Sequence, residues 1–142
     1  MIKWAQKEAL KSTYKQHRVG AVIVKGGNIL ATGYNELRPS GLLKTPTLHA
    51  EASAILKLLK AGRQNDLVGS DLYVTRFTRG GDVGISKPCE HCYSLCLSVG
   101  IKRIYYTDVD GSVKRMKLRK PLLMRILWRL LRRLLRQVKK NG

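Results

Sequence analysis

Acidic residues are scarce in this chain: nine stand against 28 lysines and arginines, and none follows Asp110. The twelve basic residues from Lys114 to Lys140 therefore have no acidic neighbour in sequence, while the other 16 share their stretch with all nine acids. Of the net charge of +19, about +7 belongs to the part up to and including Asp110, so any argument from net charge is mostly one about the tail. Cysteine is scarce too. Three cysteines cannot pair completely, which argues against a secreted disulfide framework and makes a reducing cytoplasm the expected location. No window of about 18 residues is free of charge, so no transmembrane span is expected. The opening Met1-Ile2-Lys3-Trp4 lacks the basic-then-apolar order of a signal peptide. There is no internal repeat and no low-complexity run, which sets aside collagens, coiled-coil arrays and disordered tails. What is present is one domain's length, 142 residues, with 44% apolar side chains to fill a core.

The pattern along the chain predicts an α/β fold. Trp4 to Gln16 reads as an amphipathic helix with Lys3, Lys7, Lys11 and Lys15 on one exposed stripe. Val19 to Val24 is largely β-branched, Gly26-Gly27 is a turn, and Ile29 to Tyr34 resumes an extended pattern, which together predict a hairpin. A loop rich in proline and glycine spans 35–47. A helix follows from about Leu48 to Ala61, ended by Gly62. Leu72 to Phe77 predicts a third strand, Thr78 to Lys87 a loop or small hairpin, and Cys89 to Val99 a helix behind Pro88. Ile101 to Thr107 predicts a fourth strand, and the Asp110-Gly111 turn favours an antiparallel return over Val113 to Leu118. The expectation is an α-β-α sandwich on a mixed, about five-stranded sheet over 1–118. A basic amphipathic helix is appended over 119–142.

Two short stretches carry chemistry. His49 and Glu51, in the run His49-Ala50-Glu51, mean little alone: a histidine near a helix start is usually solvated, and a first-turn glutamate is favoured by the helix dipole. Cys89 and Cys92 change the weighing, because three residues apart at a helix start they share a face, and the helix N-terminus favours the metal-binding thiolate. Two thiolates and an imidazole make three ligands, one short of a closed structural zinc site. No fitting fourth is found. His91 points well away round the helix, and Cys96 sits a turn deeper as a buried, inert thiol. An open site keeps a position for water, which Glu51, two residues past a ligand, could serve as general base. A c-type haem would need His at position 93, where Tyr stands, and a zinc ribbon would need a second cysteine pair. A redox Cys-x-x-Cys would need neither His49 nor Glu51 and stays open on these residues alone.

His49-Ala50-Glu51 followed by Pro88-Cys89-Glu90-His91-Cys92 resembles the zinc-dependent cytidine and deoxycytidylate deaminase superfamily, whose signature is H-x-E…P-C-x-x-C. The resemblance runs from about Val19 to Leu118. It includes VGAVIVKGGNILATGYN, similar to the first hairpin of deoxycytidylate and tRNA adenosine deaminases. It implies Zn2+ held by His49, Cys89 and Cys92, with Glu51 as the catalytic proton carrier and hydrolysis at C4 of a cytosine or C6 of an adenine. It further implies that Asn35 and the backbone N–H of Ala50 hold the substrate; dimers or larger assemblies are common in such families, so a homo-oligomer is compatible with the resemblance. One departure stands out. In many relatives the third strand runs almost directly into Pro-Cys, whereas here Thr78 to Lys87 intervene, with Arg76, Arg79 and Lys87. This is either an enlarged loop beside the pocket or a solvated hairpin tip.

The substrate is not fixed by fold and metal. The hairpin favours a cytosine nucleotide of the dCMP kind. The alternative is cytosine or adenine in single-stranded DNA or RNA, with Arg125, Arg129, Arg132, Arg133 and Arg136 meeting phosphates. No aromatic series suggests a stacking platform; Tyr93, Tyr105 and Tyr106 are expected in the core or sheet. A third reading gives the tail a targeting role at a membrane surface or partner helix. Its leucines are numerous enough to predict instead that the helix docks on the sheet with its arginines outward.

Overall fold

A computed structural model describes residues 1–37, 47–119 and 122–141. Most of the loop expected over 35–47, and the junction at 120–121 between the expected domain and its tail, lie outside the described residues. The β-branched run forms β1 (His17–Lys25), buried from Gly20 to Val24, so both its faces are covered. β2 (Asn28–Tyr34) returns antiparallel across Gly26-Gly27. β3 (Asp71–Thr78) pairs antiparallel with the other edge of β1, and β5 (Arg103–Thr107) runs parallel to β3. β6 (Val113–Lys117) comes back antiparallel after Asp110-Gly111, as that turn implied. The order is β2-β1-β3-β5-β6. The expected five strands become six because Thr78–Lys87 folds on itself: β4 (Val83–Gly84) pairs with Phe77 and Arg76 of β3.

Helices cover the two faces. On one, α1 (Ile2–Ala9) sets Ala5 against Val22 and Val24. On the other, α2 (Ala50–Lys60) lays Ala50, Ala54, Ile55 and Leu58 over Ala21, Ile23, Leu72 and Val74, beside Cys96 of α4 (Glu90–Val99). The expected three layers are present. A one-turn helix, α3 (Gln64–Leu67), was not expected and buries Leu67 under α2. Two glycines set how closely the layers approach. A Cβ at Gly33 would strike the Ala50 carbonyl oxygen and stand 2.6 Å from the Ala54 nitrogen, and one at Gly20 would strike the Ala5 carbonyl oxygen. Gly20 pairs with Tyr34 and Ala21 with Gly33, so the two glycines face opposite layers by strand alternation. α2 thus rests directly on the β2 backbone, and its first residues are fixed relative to the sheet.

Two expectations need correction. α1 ends at Ala9 rather than at Gln16. Ser12 turns the chain out of the helix, its hydroxyl donating to the Asn35 carbonyl at 2.8 Å and accepting from the Tyr14 N–H at 3.2 Å, a side-chain bond that competes with the helical ladder. The C-terminal helix, α5 (Leu122–Asn141), does not dock on the sheet. Its described apolar side chains are exposed, from 44% at Ile126 to 69% at Val138.

Candidate active site

Each of the two chemistry-bearing stretches opens a helix, and the two helix starts meet. His49 is the N-cap of α2, in extended conformation, with its carbonyl accepting from Ser53 at 2.9 Å. Leu48, just before it, is clamped to Glu36 by two backbone hydrogen bonds of 3.0 Å and buried against Ala52 and Cys92. Cys89 is the N-cap of α4, its sulfur accepting from the Cys92 N–H at 3.5 Å. The His49 Nδ1 lies 3.6 Å from Cys89 Sγ and 3.3 Å from Cys92 Sγ. All three ligand atoms fall within 4.8 Å of one another. Nitrogen and sulfur ligands on a tetrahedral zinc stand about 3.5–3.8 Å apart, from bond lengths near 2.0 and 2.3 Å. The spacing fits.

The electrostatics point the same way. Glu51 is 5% exposed, and burial pushes its carboxyl above the usual carboxylate range, against the opposing pull of backbone hydrogen bonding, the His49 charge and the Cys92 side chain. Burial also drives the Cys92 thiol upward, reinforced by the negative charges of Glu51 and Cys89. Buried Glu51 and Cys92 crowd together with one imidazole beside them, and a bound dication is the charge that would let the Cys92 thiol ionise there. Both helix N-termini add partial positive charge at the same spot.

Above this cluster lies a cavity of about 310 Å³. His49, Ala50, Glu51 and Cys89 line it, together with Asn35, Arg76 and Lys87. As the first residue of α2, Ala50 has an N–H outside the helical ladder. The Asn35 amide ties to β1 on two sides, accepting from the Val19 N–H at 2.8 Å and donating to the His17 carbonyl at 2.6 Å. The inserted segment is both things that its sequence allowed: its return limb, Ile85 to Lys87, lines the cavity, while its tip is exposed and Arg79 is not among the lining residues. Ser86 holds that limb, donating to the Val74 carbonyl and accepting from the Thr107 N–H, both at 2.8 Å. His91 is exposed and Cys96 buried outside the cluster, as expected. Arg125, Arg129, Arg132, Arg133 and Arg136 all lie on α5 and do not line the cavity.

The sequence missed His17 and Tyr14. The His17 ring lies edge-on to Tyr14 and its Nδ1 is 2.5 Å from a guanidinium nitrogen of Arg76. Both line the cavity. They had no motif to betray them, because their relation to Arg76 exists only through the pairing of β1 with β3, where Val19 stands opposite Arg76.

Residues 1–108 match the family model of the cytidine and deoxycytidylate deaminase zinc-binding region. The chain belongs to this family. Deoxycytidylate deaminase of Mycobacterium phage D29 is 30% identical over 121 residues, covering 69% of this chain and 84% of that one. ComE operon protein 2 of Bacillus subtilis (strain 168) is 33% identical over 112 residues, 70% of this chain; the match spans about half of that relative, 53%. Among solved structures, dCMP deaminase from the cyanophage S-TIM5 in apo form shares 33% identity at a TM-score of 0.59, covering 78% of this chain and 82% of that one. The same phage protein in complex with dCMP and dUMP shares 27% at a TM-score of 0.56, over 76% and 78%. The deaminase-family fold and zinc-binding region are thus shared along most of the chain. No helix among the described residues is long and apolar enough to cross a membrane.

Proposed function

We propose that this family member is a hydrolytic deaminase of cytosine nucleotides, acting on a monophosphate of the dCMP kind. The observation that supports it most is the meeting of His49 Nδ1 with both cysteine sulfurs at 3.6 and 3.3 Å beside the buried Glu51. His49, Cys89 and Cys92 would hold the zinc. When bound, zinc makes water a competent nucleophile near neutral pH. Glu51 takes a proton from the attacking water and delivers it to the ring N3. Its carboxyl, raised by burial, is suited to holding that proton between transfers. It then helps protonate the departing amine, so that the C4–N bond breaks as the C4–O bond is kept: cytosine and water become uracil and ammonia. Asn35 and the Ala50 N–H would orient the base.

The charge of the cavity supports a phosphorylated substrate. Among the described residues lining it, Arg76, Lys87 and His17 offer positive charge or N–H donors, and Glu51 is the one acid. A single phosphate is matched by such a rim, and a volume near 310 Å³ is at the small end of ligand pockets. The free cysteines Cys89, Cys92 and Cys96 suit a reducing cytoplasm as the place of action. The test is a substrate panel with the full chain: dCMP, cytidine, a cytosine oligonucleotide and an adenine oligonucleotide, each assayed for ammonia. Turnover of dCMP well above that of cytidine is expected. Release of ammonia from the adenine oligonucleotide with none from dCMP would overturn the reading.

A further inference from the structure

The geometry of α5 points to a second interaction surface: we infer that this helix binds an anionic lipid surface, lying in the plane of the membrane interface. Projected at about 100° per residue, its described apolar residues from Ile126 round to Trp128 occupy an arc of about 200°. The seven basic residues, Arg125, Arg129, Arg132, Arg133, Arg136, Lys139 and Lys140, occupy the remaining side, an arc of about 120°. Leu122 interrupts the basic side and Gln137 the apolar one. No acidic residue is present on the helix. Trp128 stands at the border of the two arcs with the Arg132 guanidinium 5.4 Å from its ring centre, the place where an amphipathic ring meets the headgroup level.

Three other occupants fit less well. The chain's own body does not cover the face, since Leu127 is 53% and Leu134 59% exposed. A second copy of the helix would bring two sets of seven cations together without a counter-charge, and a paired coil needs only a narrow apolar seam, far less than about 200°. A polynucleotide would satisfy the arginines but leave the wide leucine face in water. An anionic bilayer takes both faces at once: acyl chains receive the leucines, headgroups the arginines. At 20 residues the helix is about 30 Å long, and its seven cations keep it from spanning. It lies beyond the family match, which stops at residue 108, so the surface is independent of the deaminase reading.

The test uses the full chain in vesicle flotation, with phosphatidylcholine alone and with about 30% phosphatidylserine added, a charge density that gives roughly 1 kcal/mol per basic residue. Binding is expected on the anionic vesicles and little on the neutral ones, weakened by salt. Leu127→Glu with Leu134→Glu should lower the partition coefficient about a hundredfold, and Arg129→Ser with Arg133→Ser about thirtyfold. Circular dichroism and the thermal midpoint of each variant show that the body remains folded. Equal binding to neutral vesicles, or no loss with the leucine pair, would overturn the inference. So would absence of vesicle binding, whether accompanied by tight oligonucleotide binding that depends on Arg129 and Arg133, or by self-association that depends on Leu127 and Leu134.

Discussion

The sulfur of Cys92 lies 3.3 Å from Nδ1 of His49, although 43 positions separate them. This contact joins the starts of α2 and α4, so a metal held there would tie the two helices together. Chelation is therefore expected to lower the thermal midpoint as well as abolish turnover, since a ligand bound only by the native state adds to its stability. Cys89→Ala should lose zinc, measured as metal per chain after dialysis. Cys96→Ala, outside the cluster, should retain about one zinc. Retention in both variants would place the metal elsewhere.

Glu51 sits beside the candidate ligand set without belonging to it. Glu51→Gln keeps the shape and removes the proton acceptor, so zinc content should hold while turnover drops by about 10²–10⁴-fold. Steady-state kinetics with metal analysis on the same sample checks this. Full activity in the variant would remove Glu51 from the chemistry.

Gly33 is where α2 presses on β2. Gly33→Ala inserts a methyl against the Ala50 carbonyl and the Ala54 nitrogen, and should cost about 1–3 kcal/mol while moving the helix that carries His49. Gly20→Ala presses on α1 instead, which carries none of the three ligand candidates. Denaturant unfolding should show both destabilised, and zinc affinity should fall more for Gly33→Ala. Equal zinc affinity in the two would mean that α2 can yield without disturbing His49.

Ser86 closes the return limb of the inserted segment onto the sheet. Ser86→Ala leaves the Thr107 N–H, at a residue 1% exposed, without its acceptor. The expected loss is about 1–3 kcal/mol, read from urea unfolding. A rise in KM should accompany it, because Ile85 and Lys87 line the cavity on either side. Unchanged stability would show that water replaces the hydroxyl.

The candidate ligand set was legible in the sequence because its chemistry is local. His-x-Glu and Cys-x-x-Cys each place their groups by the repeat of a single helix start, and the apolar pattern separates strands from helices without knowing what they pack against. Gly26-Gly27 and Asp110-Gly111 likewise announce turns by themselves. The structure alone decided what depends on neighbours distant in sequence. Ser12 ends α1 early because Asn35 offers it a carbonyl, 23 positions on. His17 reaches Arg76 across 59 positions because strand pairing puts β1 beside β3. The leucines of α5 look alike in sequence whether they dock or stay exposed, since periodicity specifies an apolar face but not its partner. Only the packed molecule showed that the sheet does not cover that face.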